Sequence, residues 1–298
     1  MSQLQVIVSK LNKRSSVPFS FSDKNIVGVV RKGFQFEGTE VQNINNPLLG
    51  KWFIDRDGHF YWAGGLMIVD VPVHIATNIK NLPVNLPLNF RVGIDISHHN
   101  EIHDWTAFKN AGVALTYIKI SEGVGTPDPM AKDRAIAARQ NGFKIGYYHF
   151  CRPDTRNGGS VINDASAEAN EALNIIADVT EPNLPLVLDL EDQEHWDTPL
   201  QPDDYLLWVN TFINKIKERS GLECMIYSRK EYLDRKLPSN HNLGKHRLWI
   251  SRYSQKDTTK IKCPVGWDDW AMWQYCEDGI IGTNLKLDIN ILKDQTLF

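Results

Sequence analysis

The sequence predicts an α/β fold: an irregular (β/α) TIM-like barrel with a small all-β barrel domain in front of it. Three observations lead there. Short β-prone runs with a turn dipeptide fill residues 1–80. From residue 91, apolar strand-length runs alternate with amphipathic helix-length ones, the pattern of parallel β-α units. Between them, Asn81-Leu82-Pro83-Val84-Asn85-Leu86-Pro87 carries prolines that cannot donate to a ladder. The expected organisation is therefore an all-β domain over 1–80, a linker over 81–90 and a barrel over 91–298.

In the front region, Gln5-Val6-Ile7-Val8 and Asn25-Ile26-Val27-Gly28-Val29-Val30 are strand candidates. The best local signal is Asp57-Gly58 between Trp52-Phe53-Ile54-Asp55-Arg56 and His59-Phe60-Tyr61-Trp62, because glycine accepts the positive φ of a two-residue hairpin turn. Several short strands in so small a span suggest a small barrel.

In the second region, strands are expected at 92–96, 114–120, 144–150, 186–190, 224–227, 248–253, 271–275 and 285–289. Helices are expected at 129–141, 164–177 and 202–219. The last shows Tyr205, Trp208, Val209, Phe212, Ile213 and Ile216 at helical spacing, followed by Gly221 as a stop. Eight strands in so few residues sit at the small end of the barrel range. The last three connections are too short for full helices, so irregularity is expected there.

Composition excludes several classes. At 42% hydrophobic and 23% charged the chain is an ordinary globular one. A net charge of -3 leaves no excess of Lys and Arg to neutralise phosphates, so nucleic acid is not an expected partner. Residues 1–90 hold 9 Lys and Arg against 6 Asp and Glu, a mildly basic front on an acidic body. Cys151, Cys224, Cys263 and Cys276 are widely spaced and are expected to be free thiols. No apolar stretch suits a membrane span. Met1-Ser2-Gln3-Leu4-Gln5 lacks the basic start and apolar run of a secretory signal. Synthesis in the cytoplasm is therefore expected, with action on its target after release or delivery. A monomer is expected.

Active sites in this architecture form at the C-terminal ends of the strands. Three of those ends carry acids among aliphatics: Gly93-Ile94-Asp95-Ile96-Ser97, Leu188-Asp189-Leu190-Glu191 and Leu287-Asp288-Ile289-Asn290. Burying such an acid is costly unless it is paired, hydrogen-bonded or protonated. Asp189 and Glu191 are the sharpest pair, since i and i+2 on a strand share a face. Two close carboxylates cannot both ionise freely, which leaves one as a general acid beside an anion, as glycoside hydrolysis requires. A charge cluster satisfied by Arg or Lys in a barrel core is the bland alternative. Tyr147, Tyr148, His149, Phe150, Trp249, Tyr253, Trp273 and Tyr275 lie near strand ends, where rings can stack on sugars, although about half of them should be core. His98, His99 and His149 lack zinc-ligand spacing, so neither metal nor other cofactor is expected. No Gly-x-Ser-x-Gly elbow marks a serine hydrolase.

With these residues in view, positions 91–292 resemble the glycoside hydrolase family 25 lysozymes, the Chalaropsis-type N-acetylmuramidases. The stretches already quoted match in family order, with Tyr117-Ile118-Lys119-Ile120-Ser121-Glu122-Gly123, Gly146-Tyr147-Tyr148-His149-Phe150 and Trp273-Gln274-Tyr275. The resemblance implies cleavage of the β-1,4 bond after N-acetylmuramic acid in bacterial peptidoglycan; a strand face shared by Asp189 and Glu191 leaves little room for an inverting water, so retention is expected. It implies Glu191 as general acid/base, and Asp189 as nucleophile or as the group orienting the substrate's acetamido arm. It implies a substrate cleft lined by Asp95 and Asp288, and Tyr147, His149, Glu122, Trp249, Tyr253 and Trp273 are the further substrate-binding residues expected. Departures are Ile120-Ser121 in place of Ala-Thr, and Ser251-Arg252-Tyr253 in place of Ala-x-Tyr. Leu11-Asn12-Lys13-Arg14-Ser15 and Gly50-Lys51-Trp52-Phe53 resemble bacterial Src-homology-3-like domains, which implies a wall-binding module, with a spacer or partner-docking role as the alternative. A phage lysin or a secreted effector would fit. A chitinase-like endo-N-acetylglucosaminidase and a non-catalytic glycan-binding protein on the same scaffold are the competing functions. The intact set of four acids counts against the second.

Overall fold

A computed structural model describes residues 2–18, 24–42, 50–68, 79, 82–87, 90–193 and 199–293. Contacts divide the chain into two units, Met1–His74 and Ile75–Phe298. Ile79 and Phe90 are buried in the hydrophobic core of the second unit and Leu82 and Leu86 pack against it, so much of the span expected to be a linker packs with that unit.

The first unit is a seven-stranded sheet of β1 (Ser2–Val6), β2 (Lys10–Arg14), β3 (Ile26–Arg31), β4 (Gln35–Glu40), β5 (Trp52–Asp55), β6 (Phe60–Trp62) and β7 (Leu66–Ile68). Their order is β3-β2-β6-β5-β4-β1-β7, with every neighbour antiparallel. The sheet was expected to close into a small barrel. Among the described residues it is open, with β3 and β7 at its ends and Ile26, Val27 and Val29 of β3 exposed. The β5–β6 hairpin forms as expected, with Gly58 at φ +82°. Asp55 ties it from within: Oδ1 accepts from the Asp57 and His59 amides at 3.0 and 2.8 Å, and Oδ2 from the Tyr61 hydroxyl at 2.9 Å.

The second unit holds a closed eight-stranded barrel: β8 (Arg91–Ile96), β9 (Val113–Glu122), β10 (Lys144–Phe150), β11 (Leu186–Asp189), β12 (Cys224–Ser228), β13 (Arg247–Ser251), β14 (Met272–Ile281) and β15 (Asn284–Leu292). Helices α1 (Trp105–Asn110), α2 (Ala131–Gln140), α3 (Val161–Asp178), α4 (Pro202–Ser220) and α5 (Lys230–Lys236) join β8 through β13 in turn. Strands β8 to β14 run parallel, but β15 is antiparallel to both β14 and β8. The expectation of parallel units throughout therefore fails at the last strand. Only Gly282 and Thr283 separate β14 from β15, far too few for a crossover and enough for a hairpin.

Two apolar layers fix the phase of every strand. Val92, Ile94, Ile145, Leu186, Leu188, Ile226, Ile250, Leu287 and Ile289 face the helices. Leu115, Tyr117, Val187, Met225, Trp249 and Met272 fill the barrel. Helix α4 shows why the shell holds. Pro202 opens it, Asp203 and Asp204 sit in its first turn, Lys217 and Arg219 in its last, and Gly221 ends it at φ +71°. Its buried face carries Tyr205, Trp208, Val209, Phe212, Ile213 and Ile216, each worth roughly 1.5–3 kcal/mol of apolar burial.

Inside the barrel the Tyr117 ring lies where a Cβ on Gly146 of the adjacent strand would sit. Gly146→Ala should therefore cost about 1–3 kcal/mol through overpacking. Chemical denaturation measures it, and an unchanged midpoint would show that the ring yields freely.

Candidate active site

The C-terminal mouth of the barrel holds a cleft of about 470 Å³. Asp95 reaches it from β8, Lys119 and Glu122 from β9, Tyr148 and Phe150 from β10, Asp189 from β11 with Glu191 just beyond it, Tyr227 from β12, Trp249 from β13 with Tyr253 beyond, Gln274 and Glu277 from β14, and Asp288 from β15. The alternation of β11 places Leu186, Leu188 and Leu190 outward and Val187, Asp189 and Glu191 inward.

Asp95 is the best-anchored acid. Gln274 Nε2 donates to its two oxygens at 3.0 and 3.1 Å, and Asn290 Nδ2 donates to Oδ2 at 2.6 Å. Both amides are fixed in turn. Gln274 Oε1 accepts from the Tyr227 and Tyr253 hydroxyls at 2.6 and 2.7 Å, and Asn290 Oδ1 accepts from Trp249 Nε1 at 2.8 Å. Burial pushes Asp95 up to about 6 against those donors, which hold it down, while the charge of Glu191 raises it further. Asp288 faces Asp95 across the β15–β8 ladder. Burial, then the charges of Asp95, Glu277 and Glu191, push it up to about 9, and its proton is donated to Asp95.

Asp189 and Glu191 are hydrogen-bonded to one another. Burial raises both, and the charge of Glu191 adds to the rise of Asp189. Two raised carboxyls in contact hold one proton between them. The Asp189 Oδ1 atom has no hydrogen-bond partner among the described residues. One protonated and one ionisable carboxyl, in contact at a strand end, form a device for passing a proton to a bound oxygen.

The sequence model of the glycosyl hydrolases family 25 matches residues 94–283, more than half of the chain. The chain belongs to glycosyl hydrolases family 25. It is 28% identical over 195 residues to Lysozyme M1 of Streptomyces globisporus, covering 64% of this chain and 63% of that protein. It is 28% identical over 189 residues to the autolytic lysozyme of Clostridium acetobutylicum, covering 63% of this chain and 51% of the other. The chain thus spans between half and two thirds of those relatives. The lysozyme structure from Streptomyces coelicolor superposes with a TM-score of 0.58 at 26% identity, over 68% of this chain and 92% of that one.

Not every residue expected in the cleft from the sequence is in it. Asp189, Glu191, Asp95, Asp288, Glu122, Trp249 and Tyr253 line it. Tyr147, His149 and Trp273 do not: they lie on the outward phase of β10 and β14. Tyr147 is buried and donates to the Thr180 carbonyl at 2.6 Å. Trp273 is buried against the helices, with Nε1 bonded to the Arg252 carbonyl at 3.1 Å. His149 is buried behind the sheet between Ser121 Oγ at 2.8 Å and Glu168 Oε2 at 2.9 Å. With Cys151, His149 and Glu168 bring three possible metal ligands within 4.8 Å of one another, but both imidazole nitrogens are already engaged. Tyr148, Phe150, Tyr227 and Gln274 take the cleft positions instead. Strand parity, applied to the outward aliphatics, identifies each of them.

The raised Asp288 has a consequence for stability. A carboxyl whose folded value lies above its ordinary 3.8 adds stability below that value and loses it as pH rises toward about 9. Asp288→Asn cannot titrate. Between about pH 5 and about pH 9 its Tm should fall less than that of the wild type, by at least roughly 2–4 °C, the shift that about 1 kcal/mol produces in a domain of this size. Calorimetry at both pH values measures it, and parallel curves would place the Asp288 proton elsewhere.

Proposed function

We propose that this family 25 hydrolase is a peptidoglycan-cleaving N-acetylmuramidase built on an irregular (β/α) barrel of TIM-like form. It cuts the β-1,4 bond between N-acetylmuramic acid and N-acetylglucosamine at the bacterial cell wall and works as a monomer. The observation that carries the proposal is the hydrogen-bonded Asp189–Glu191 pair in a cleft with Asp95 and Asp288. Glu191 gives its proton to the leaving O4 as the C1–O4 bond breaks. It then takes a proton from the water that completes hydrolysis. The pair shares one proton. Placed on Glu191, it arms the general acid and leaves Asp189 anionic toward the sugar, either as nucleophile at C1 or as acceptor for the acetamido N–H.

Retention is the course we propose. Inversion needs carboxyls about 6.5–9.5 Å apart with water between them, and the contact between Asp189 and Glu191 argues against such a gap. A chitinase-like specificity would use the same pair, and the substrate decides between the two. In the assay, Glu191→Gln should retain the wild-type Tm and lower muropeptide release by roughly 10²-fold or more. Asp189→Asn should be severely impaired, and proton NMR should show the β-anomer as first product. Near-wild-type release by folded Glu191→Gln, or an initial α-anomer, would overturn the roles given to the pair.

For the front unit we propose a Src-homology-3-like wall-binding role, supported by its all-β sheet and mildly basic charge. Removing Met1–His74 should weaken retention on sacculi while cleavage of soluble strands persists. Equal sedimentation with sacculi by both forms would rule the role out.

A further inference from the structure

On β9 the charge of the cleft lining reverses. Lys119 and Glu122 both line it, although a spacing of three cannot put two side chains on one face of a regular strand. A bulge in β9 resolves this. The ladder to β10 pairs Tyr148 with Lys119 but His149 with Ser121, so Ile120 is extra. Ile120 and Ser121 both turn outward, and Glu122 returns to the cleft. There Glu122 Oε2 accepts from Lys119 Nζ at 2.7 Å, and Oε1 accepts from Arg152 Nε at 2.9 Å and also from Arg152 Nη2. The Phe150 ring lies beneath both cations, its centroid 4.9 Å from Lys119 Nζ and 5.7 Å from the Arg152 guanidinium carbon. Burial works to raise Glu122, yet the two cations hold it below its ordinary range.

Neutralising one carboxylate takes one cation, and here two converge on it, although the Lys119 charge also reaches Asp189 and Glu191. The net positive charge of the cluster stands beside a cleft lined mainly by acids, Asp95, Asp189, Glu191, Glu277 and Asp288, with His99 as a further basic side chain. An anionic substrate group therefore finds its best partner at this cluster. We propose that Lys119, Glu122 and Arg152 form a carboxylate-binding ledge that selects glycan strands bearing an acid, through either the lactyl carboxylate of muramic acid or a carboxylate of its stem peptide. The ledge rests on the muramidase reading and supplies what separates such a strand from uncharged chitin. Arginine suits it because a planar guanidinium has five N–H donors and can serve Glu122 and a ligand carboxylate together.

The test compares kcat/KM of the full chain on three strands: peptide-stripped strands with free lactyl carboxylates, strands with intact stem peptides, and the same strands with every carboxylate capped as methylamide. The wild type should favour at least one acid-bearing strand over the capped one by roughly tenfold, the scale of one charge-assisted hydrogen bond. The arm that shows the preference names the source of the acid. In Arg152→Gln and Lys119→Met the ratio should fall toward one, with Tm confirming the fold. If either variant does not fold, the wild-type ratio and the other variant decide. A wild-type ratio near one in both arms, or a preference that survives both substitutions, overturns the ledge while leaving the muramidase intact. Failure of the wild type to cut any of the three strands overturns the muramidase and the ledge together.

Discussion

Closing eight strands into a barrel removes water from the inward acids, and much of the site is a response to that desolvation. An isolated carboxylate in such a place costs several kcal/mol. Two remedies are visible. Asp95 receives amide donors, each held from behind by a tyrosine or tryptophan. Asp288 keeps a proton toward Asp95, and Asp189 and Glu191 share one. The same burial therefore yields unlike protonation states, because the neighbours differ: amides around Asp95, like charges around Asp288. Difference in state between adjacent acids is what a proton-transfer site needs.

The buried acids were legible in the sequence because their cost makes them rare. Asp95, Asp189 and Asp288 each interrupt an aliphatic strand, and closure brings those interruptions to one mouth. The helical face of α4 and the Asp57-Gly58 hairpin were legible for a similar reason, since each needs one periodicity or one turn residue. The aromatics misled. Tyr147, His149 and Trp273 were assigned to the cleft because rings bind sugars, but a ring packs equally well against a helix. Phase decides between the two. Ile145 and Ile289 mark the outward faces of β10 and β15, and counting by two from them gives Tyr147 and His149 out, Tyr148 and Phe150 in, and Asp288 in. The direction of β15 was not legible, because strands expected at 271–275 and 285–289 leave nine residues between them where the structure leaves two.

Counting by two fails at Ile120, and no residue type there announces the failure. The bulge depends on partners far away in sequence. Ser121 turns outward because His149 of β10 meets it, and His149 is held by Glu168 of α3 and stacked on Phe212 of α4, with ring centroids 5.4 Å apart. Glu168 Oε2 also accepts from the Arg152 amide at 3.0 Å, so one carboxylate behind the sheet fixes both the bulge and the residue whose guanidinium grips Glu122 in front of it.

The serine, histidine and glutamate in that network share the connectivity of a hydrolytic triad, yet burial gives them a different part. Ser121, His149 and Glu168 are all fully buried, so no scissile bond can reach the hydroxyl, and the helices cover the imidazole. What the network supplies is register. A one-residue slip reverses every side chain beyond it, and a regular strand with no bulge at Ile120 would carry Lys119 and Ser121 inward and leave Glu122 outside. Fixing the bulge from behind is therefore how residues that never touch the cleft set the distance between its cations and its paired acids. The packing of α3 and α4 thus belongs to the site as much as the strand ends do.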